Sequence, residues 1–285
     1  MNVTDKTVLI TGATDGVGKL VALRLAAAGA RVLLHGRNKE KGAAVLRAIR
    51  DETGNDRLEY YQADFSSIDE TRRLAEAIEA EHDRLELLIN NAGIGSTTRG
   101  KIERETSRDG HELRFAVNYL APFLLTHLLL PLVLKSAPAR IVNVASAGQQ
   151  GIDFSDVMLT RGYDGFRAYC QSKLALVMFT FDIAEETKGS GVRGGRSSRR
   201  SAESSGDGQE REDTTTVGAK QSDLEIELSI LQSNYEKCLN FGLKARAIPT
   251  QTIDGKQPVL VIQMLNVGRC PTCGSWIVGW TCPTC

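Results

Sequence analysis

Tyr169 and Lys173 stand four residues apart in Ala168-Tyr169-Cys170-Gln171-Ser172-Lys173-Leu174, and Ser146 lies twenty-three residues upstream of the tyrosine in Val142-Asn143-Val144-Ala145-Ser146. On a helix that spacing sets a phenol and an ammonium on one face, about one turn apart. The cation favours the phenolate and shifts the tyrosine toward acid/base work. A free phenol near pKa 10 is a poor base at neutral pH, and a shift of three units needs about 4 kcal/mol.

Such residues act only when a scaffold holds them. Short aliphatic runs at Lys6–Thr11, Arg31–His35, Leu58–Ala63, Leu85–Asn90 and Arg140–Ala145 read as strands. Between and after them, Gly18–Ala28, Lys39–Asp51, Ile68–His82, His111–Leu134 and Arg167–Thr187 read as helices. Strict alternation predicts an α/β fold, a doubly wound parallel sheet of Rossmann type with helices on both faces.

Directly after the first strand comes Thr11-Gly12-Ala13-Thr14-Asp15-Gly16-Val17-Gly18-Lys19, opening a helix. Glycines there permit a tight turn and close approach to a pyrophosphate, while the helix N-terminus supplies free N–H donors. A tight strand-to-helix turn is the plain structural alternative. The second strand ends in His35-Gly36-Arg37-Asn38-Lys39, where a carboxylate would grip the ribose diol of NAD. Arg37 stands there instead and suits a 2′-phosphate, so NADP is expected over NAD. Asp64 follows the third strand, placed to hydrogen-bond an adenine amino group, with Phe65 beside the ring. Asn90-Asn91-Ala92-Gly93 ends the fourth strand at the carboxyl edge, where open α/β sheets bind ligands.

Thr11-Gly12-(three residues)-Gly16-Val17-Gly18, Asp64, Asn90-Asn91-Ala92-Gly93, Asn118, Ser146 and Tyr169-(three residues)-Lys173 together resemble the short-chain dehydrogenase/reductase family over about residues 5–190. The run Phe115–Thr126 looks most like the family's retinol-dehydrogenase-like branch. The resemblance implies hydride transfer between a nicotinamide and a small lipophilic carbonyl or alcohol. It implies that Tyr169 carries the proton, that Ser146 orients the substrate oxygen, and that Lys173 lowers the tyrosine pKa and bonds the nicotinamide ribose. Asn118 would hold a relaying water.

After Lys188-Gly189-Ser190-Gly191-Val192, Arg193-Gly194-Gly195-Arg196 replaces the sixth strand of the family pattern. The expected organisation is a C-terminally incomplete domain at 1–190, a linker at 191–221, and a helix, strand and zinc-ribbon-like segment at 222–285. From Gly189 to about Gly218 hardly an apolar side chain occurs, a composition that predicts disorder. The abrupt change suggests a fusion, a frame change or a joining of unrelated segments. Leu224, Leu228, Leu231, Tyr235, Cys238 and Gly242 form a short heptad seam, suited to a packing helix or a coiled coil, and Pro258–Leu265 reads as a strand. Cys270, Cys273, Cys282 and Cys285 form two C-x-x-C knuckles eight residues apart, the spacing of a closed zinc site, with redox cysteines the alternative.

Thirty-five basic and thirty-five acidic residues cancel, which argues against nucleic acid or an anionic membrane as partner. The apolar run Leu120–Leu134 is too short for a span of about 20 residues, so no membrane span is expected. Met1–Lys6 carries no export pattern, and a cytoplasmic location is expected. The helices at 111–134 and 167–187 are candidates for a homodimer contact. Two functions follow: an NADP-dependent oxidoreductase, or a catalytically inactive nucleotide-binding remnant joined to a zinc-binding interaction module.

Overall fold

The computed structural model describes residues 3–95, 103–146 and 148–192, together with the backbone of two short strands near the C-terminus. Five parallel strands, β1 (Thr7–Ile10), β2 (Arg31–Gly36), β3 (Leu58–Gln62), β4 (Leu87–Asn90) and β5 (Arg140–Asn143), lie in the order β3-β2-β1-β4-β5. Their alternate side chains enter two cores. Val8 and Ile10 of β1 pack with Ala22, Ala26, Val45 and Ile49, whereas Leu9 packs with Leu74, Ile78, Leu125 and Leu176. A strand buried on both faces must be apolar throughout, which is why Thr7–Ile10 reads as one continuous run.

Helices α1 (Gly16–Ala27) and α2 (Lys39–Thr53) cover one face. The other face carries α3 (Ile68–Glu81), α5 (Ala121–Lys135) and α6 (Gly165–Glu186). Local chemistry sets their ends. Asn38 caps α2 by accepting the N–H of Lys41 (2.7 Å), and Gly54 closes that helix in the left-handed conformation. Asp164 starts α6 by accepting the N–H groups of Phe166 (2.7 Å) and Arg167 (3.0 Å), which sets the phase of the helix that carries Tyr169 and Lys173.

The helix predicted over 111–134 is divided. A short α4 (Leu113–Phe115) passes into a π-turn at Ala116–Leu120, where the N–H of Ala121 reaches back to Ala116, and then into α5. Asn118 sits in that widened turn. The stretch Leu113–Lys135 is long and apolar enough to cross a membrane by length and composition, but much of it is spent in the core: Phe115, Leu125, Leu129 and Val133 are at most 1 % exposed.

Gly191 and Val192, assigned from sequence to the linker, belong to this folded unit. Val192 is buried at 1 % exposure and bridges Ala139 in the parallel sense beside β5. Strands β6 (Val267–Arg269) and β7 (Trp276–Val278) form an antiparallel pair with Gly268 opposite Ile277. The rest of the predicted linker, the heptad seam, the Pro258–Leu265 strand and Cys270, Cys273, Cys282 and Cys285 lie outside the described residues.

Candidate active site

Strand β1 has β2 on one side and β4 on the other, so the chain reverses direction of winding at its carboxyl end and leaves a crevice there. A cavity of about 920 Å³ occupies that crevice. Its lining contains Gly12, Thr14, Asp15, Gly16, Val17, Gly18, Arg37, Asn38, Asp64, Phe65, Asn91, Ala92 and Gly93, so one cleft gathers the predicted cofactor set apart from the two residues of α6.

Close contact makes the floor. A Cβ on Gly18 would stand 2.3 Å from the Gly12 carbonyl oxygen and 2.4 Å from Asn91 Nδ2, so α1 can start this near β1 only with glycine. Asn91 does not reach outward. Its Nδ2 donates to the carbonyls of Thr11 (2.9 Å) and Gly12 (3.1 Å), and Thr11 Oγ1 accepts the N–H groups of Asn91 (2.9 Å) and Ala92 (3.0 Å). By contrast a Cβ on Gly16 would meet nothing within 4 Å, which leaves the mouth of α1 open for an anionic group. The N–H groups of Val17 and Gly18 have no acceptor further up the helix. These features fit a pyrophosphate.

Asp15 has partners of its own at the rim. Its carboxylate accepts the Gly16 N–H (2.8 Å) and pairs with Lys41 Nζ (2.6 Å), and the Lys41 bond first holds its pKa below the ordinary value. Lys41 lies in the cleft lining beside Asn38 and was not selected from sequence. Arg37 is exposed on the same rim. Asp64 accepts the Ser66 N–H (2.9 Å) and faces Arg108 Nη2 at 3.4 Å, while Arg108 also pairs with Glu70. Phe65 is 5 % exposed and its ring stacks on His35 in the wall of the cleft.

At the inner end the cleft meets the residues that could do chemistry. Lys173 is 5 % exposed, and Nζ donates to the Val144 carbonyl (2.9 Å). Burial lowers its pKa to about 8. A Cβ on Gly93 would lie 3.4 Å from that Nζ and 3.1 Å from Asn118 Oδ1, so the β4 loop passes over both. On the other side, a Cβ on Gly148 would stand 3.4 Å from the Tyr169 ring and 3.7 Å from Ser146 Oγ. The Tyr169 ring and the Ser146 hydroxyl thus both lie against Gly148.

Asn118 is fully buried. Its Oδ1 accepts the Ile94 N–H (2.8 Å), and Nδ2 donates to the Ile94 carbonyl (3.1 Å) and to Ser172 Oγ (3.0 Å). Ser172 Oγ donates in turn to the Tyr169 carbonyl (2.7 Å). The amide therefore ties the loop beyond Gly93 to α6. Ser172 was passed over in the sequence because it reads as filler between Tyr169 and Lys173.

Among the described residues one other group could gather metal ligands, Glu59, Glu81 and His82, and all three already engage the Tyr61 hydroxyl.

An open parallel sheet with this crevice and a Ser-Tyr-Lys constellation defines the class: the short chain dehydrogenase family matches residues 6–194, and the chain belongs to it. Retinol dehydrogenase 13 of Homo sapiens is 43% identical over 190 residues, which are 66% of this chain and 56% of that protein. Retinol dehydrogenase 11 of Homo sapiens is 42% identical over 189 residues, 66% of this chain and 58% of its own length. The chain spans little more than half the length of these curated relatives. Among solved structures, a metagenomic short-chain oxidoreductase in complex with NADP superimposes with a TM-score of 0.55 at 29% identity, covering 68% of this chain and 81% of the other. The RhlG/NADP active-site complex of Pseudomonas aeruginosa gives 0.54 at 31% identity, covering 67% and 70%.

Proposed function

We propose that this chain is an oxidoreductase that passes a hydride between NADP and a small lipophilic carbonyl or alcohol, with a retinoid as the first substrate to try. The observation that carries the proposal is the meeting of Lys173 and Asn118 with Gly93 in the cleft wall, together with the approach of Tyr169 and Ser146 to one residue, Gly148. The bound nicotinamide supplies or accepts the hydride. Gly12, Gly16 and Gly18 would admit the pyrophosphate, and Asp64 the adenine amino group. Arg37 would hold the 2′-phosphate, and the absence of a carboxylate at the end of β2 supports NADP. In reduction Tyr169 gives its proton to the substrate oxygen, Ser146 hydrogen-bonds that oxygen, and the Lys173 ammonium stabilises the phenolate left behind.

The test is a titration with NADPH followed by turnover on a panel of aldehydes and ketones that includes retinal. Tyr169→Phe should keep NADPH affinity while lowering turnover about 10²–10⁴-fold. Saturable binding by the wild type without turnover on any substrate would instead support the inactive nucleotide-binding remnant. Absence of NADPH binding would sink both.

Two accompanying readings rest on less. The homodimer is supported by Leu134 and Phe181, large apolar side chains at 36 % and 38 % exposure on α5 and α6. Phe181→Glu should shift sedimentation from dimer to monomer, and an unchanged profile would remove this face from consideration. Zinc at Cys270, Cys273, Cys282 and Cys285 rests on spacing alone. About one zinc per full-length chain, lost in the Cys270→Ser/Cys273→Ser variant, would support it.

A further inference from the structure

His35 is the buried titratable group at the cleft that the proposed chemistry leaves unused. It sits at the end of β2, 3 % exposed, with its imidazole stacked on Phe65 at a centroid distance of 4.2 Å and an interplanar angle of 19°. Nδ1 accepts the Gly12 N–H at 3.3 Å, and Nε2 lies 3.1 Å from the Ala63 carbonyl oxygen. One protonation state serves both contacts. Nδ1 must be bare to accept an N–H, and Nε2 must carry the hydrogen to donate to a carbonyl, so the ring is the neutral Nε2–H tautomer. Burial favours that state by holding the pKa down at about 4, against the smaller opposing influence of the nearby Asp64 carboxylate.

The main chain repeats the arrangement. The Ala13 N–H donates to the His35 carbonyl (2.9 Å), and the Ala63 N–H donates to the Gly36 carbonyl (3.2 Å). One residue thus joins the glycine turn after β1, the rim after β2 and the Ala63-Asp64-Phe65 wall after β3. Gly12 is held at a φ of +66°, and its N–H has the imidazole as acceptor. Without that acceptor the turn has a partly buried donor to satisfy and a reason to shift.

We propose that His35 is a positioning residue of the dinucleotide site, holding the Gly12 turn and the Ala63–Phe65 wall at the separation that the adenosine half of the cofactor requires. The proposal rests on reading this cleft as the dinucleotide site. It assigns His35 no contact with the reacting atoms, so its loss should appear in cofactor affinity and not in kcat at saturation.

The test uses the full chain and three variants, with dissociation constants for NADPH and for 2′,5′-ADP, thermal melts, and kcat and KM where turnover is found. His35→Phe keeps a flat ring against Phe65 but strands the Gly12 N–H and the Ala63 carbonyl, and should weaken both nucleotides about ten- to a hundredfold. His35→Asn can place Oδ1 where Nδ1 stood and should recover a measurable part of that affinity. His35→Leu replaces the phenylalanine variant as the reference if the latter does not fold. Wild-type affinity in the phenylalanine or leucine variant, or lower thermal stability with unchanged affinity, would overturn the assignment. Equal losses in the asparagine variant and the reference would also overturn it, because the acceptor at Nδ1 would then be irrelevant. A wild type that binds neither nucleotide would overturn the dinucleotide reading itself, a result distinct from normal wild-type binding with unaffected variants.

Discussion

Replacing Lys173 with methionine is expected to make the fold more stable at neutral pH while lowering any turnover. The ammonium is buried at the inner end of the cleft with one acceptor, the Val144 carbonyl, and no carboxylate partner among the described residues. Burial lowers its pKa from 10.5 to about 8. In the unfolded chain the proton is held up to about pH 10.4. Between these values the folded state binds fewer protons, so this group makes stability rise from about pH 8 toward pH 10.4. Below pH 8 the lysine is charged in both states and its full burial penalty, about 3 kcal/mol, is present. Methionine fills a similar volume without charge, and should return about 1–3 kcal/mol at pH 7, a rise of a few degrees in Tm. That gain should shrink toward zero near pH 10. Turnover should fall at least about a hundredfold, since no cation then supports the phenolate. A methionine variant less stable than the wild type at pH 7 would show that Lys173 is a structural cation.

Gly18→Ala is expected to remove dinucleotide binding and to lower stability together. The new methyl would stand 2.3 Å from the Gly12 carbonyl oxygen and 2.4 Å from Asn91 Nδ2, the two groups that already hydrogen-bond each other across β1 and β4. Backbone oxygen cannot step aside as a flexible side chain can, so either α1 moves off the sheet or the Asn91 clamp opens. Overpacking of this kind costs about 1–3 kcal/mol, and the lost Asn91 bond adds about 1 kcal/mol. NADPH affinity should fall about a hundredfold or more, because the donors of the α1 mouth move with the helix. Titration and a thermal melt of the same sample read both effects. Near-wild-type values in both would mean that the crowded start of α1 is not what shapes the cleft.

These two substitutions mark how far the site was legible in the sequence. Gly18 was selectable because a strand, a glycine turn and a helix start follow within one short window, and each step is local. Lys173 was selectable because four residues on a helix always bring two side chains to one face. Their environments were not selectable. The carbonyl that Lys173 meets belongs to Val144, and the amide that Gly18 nearly touches belongs to Asn91, far along the chain. Phe65 shows the same limit from the other side. Its place after β3 is local information, whereas its stack on His35 joins two strands and carries no local signal. The π-turn at Ala116–Leu120 was also hidden, since the apolar pattern of Phe115–Leu134 reads as one helix and an inserted residue in the hydrogen-bond ladder leaves no periodic trace.

By itself the sequence determined the alternation of strands and helices, the glycine turn after β1, the absence of a carboxylate after β2, and the one-turn spacing of Tyr169 and Lys173. All of these are carried by neighbouring residues, whose relations are set by backbone geometry alone. Only the tertiary structure decided that Asn118 holds Ile94 and Ser172, that His35 joins Gly12 to Ala63, and that Val192 reaches β5. Those contacts join residues distant along the chain. They arise because a close-packed interior gives each buried donor and acceptor one available partner, and which partner that is depends on how the whole sheet is stacked.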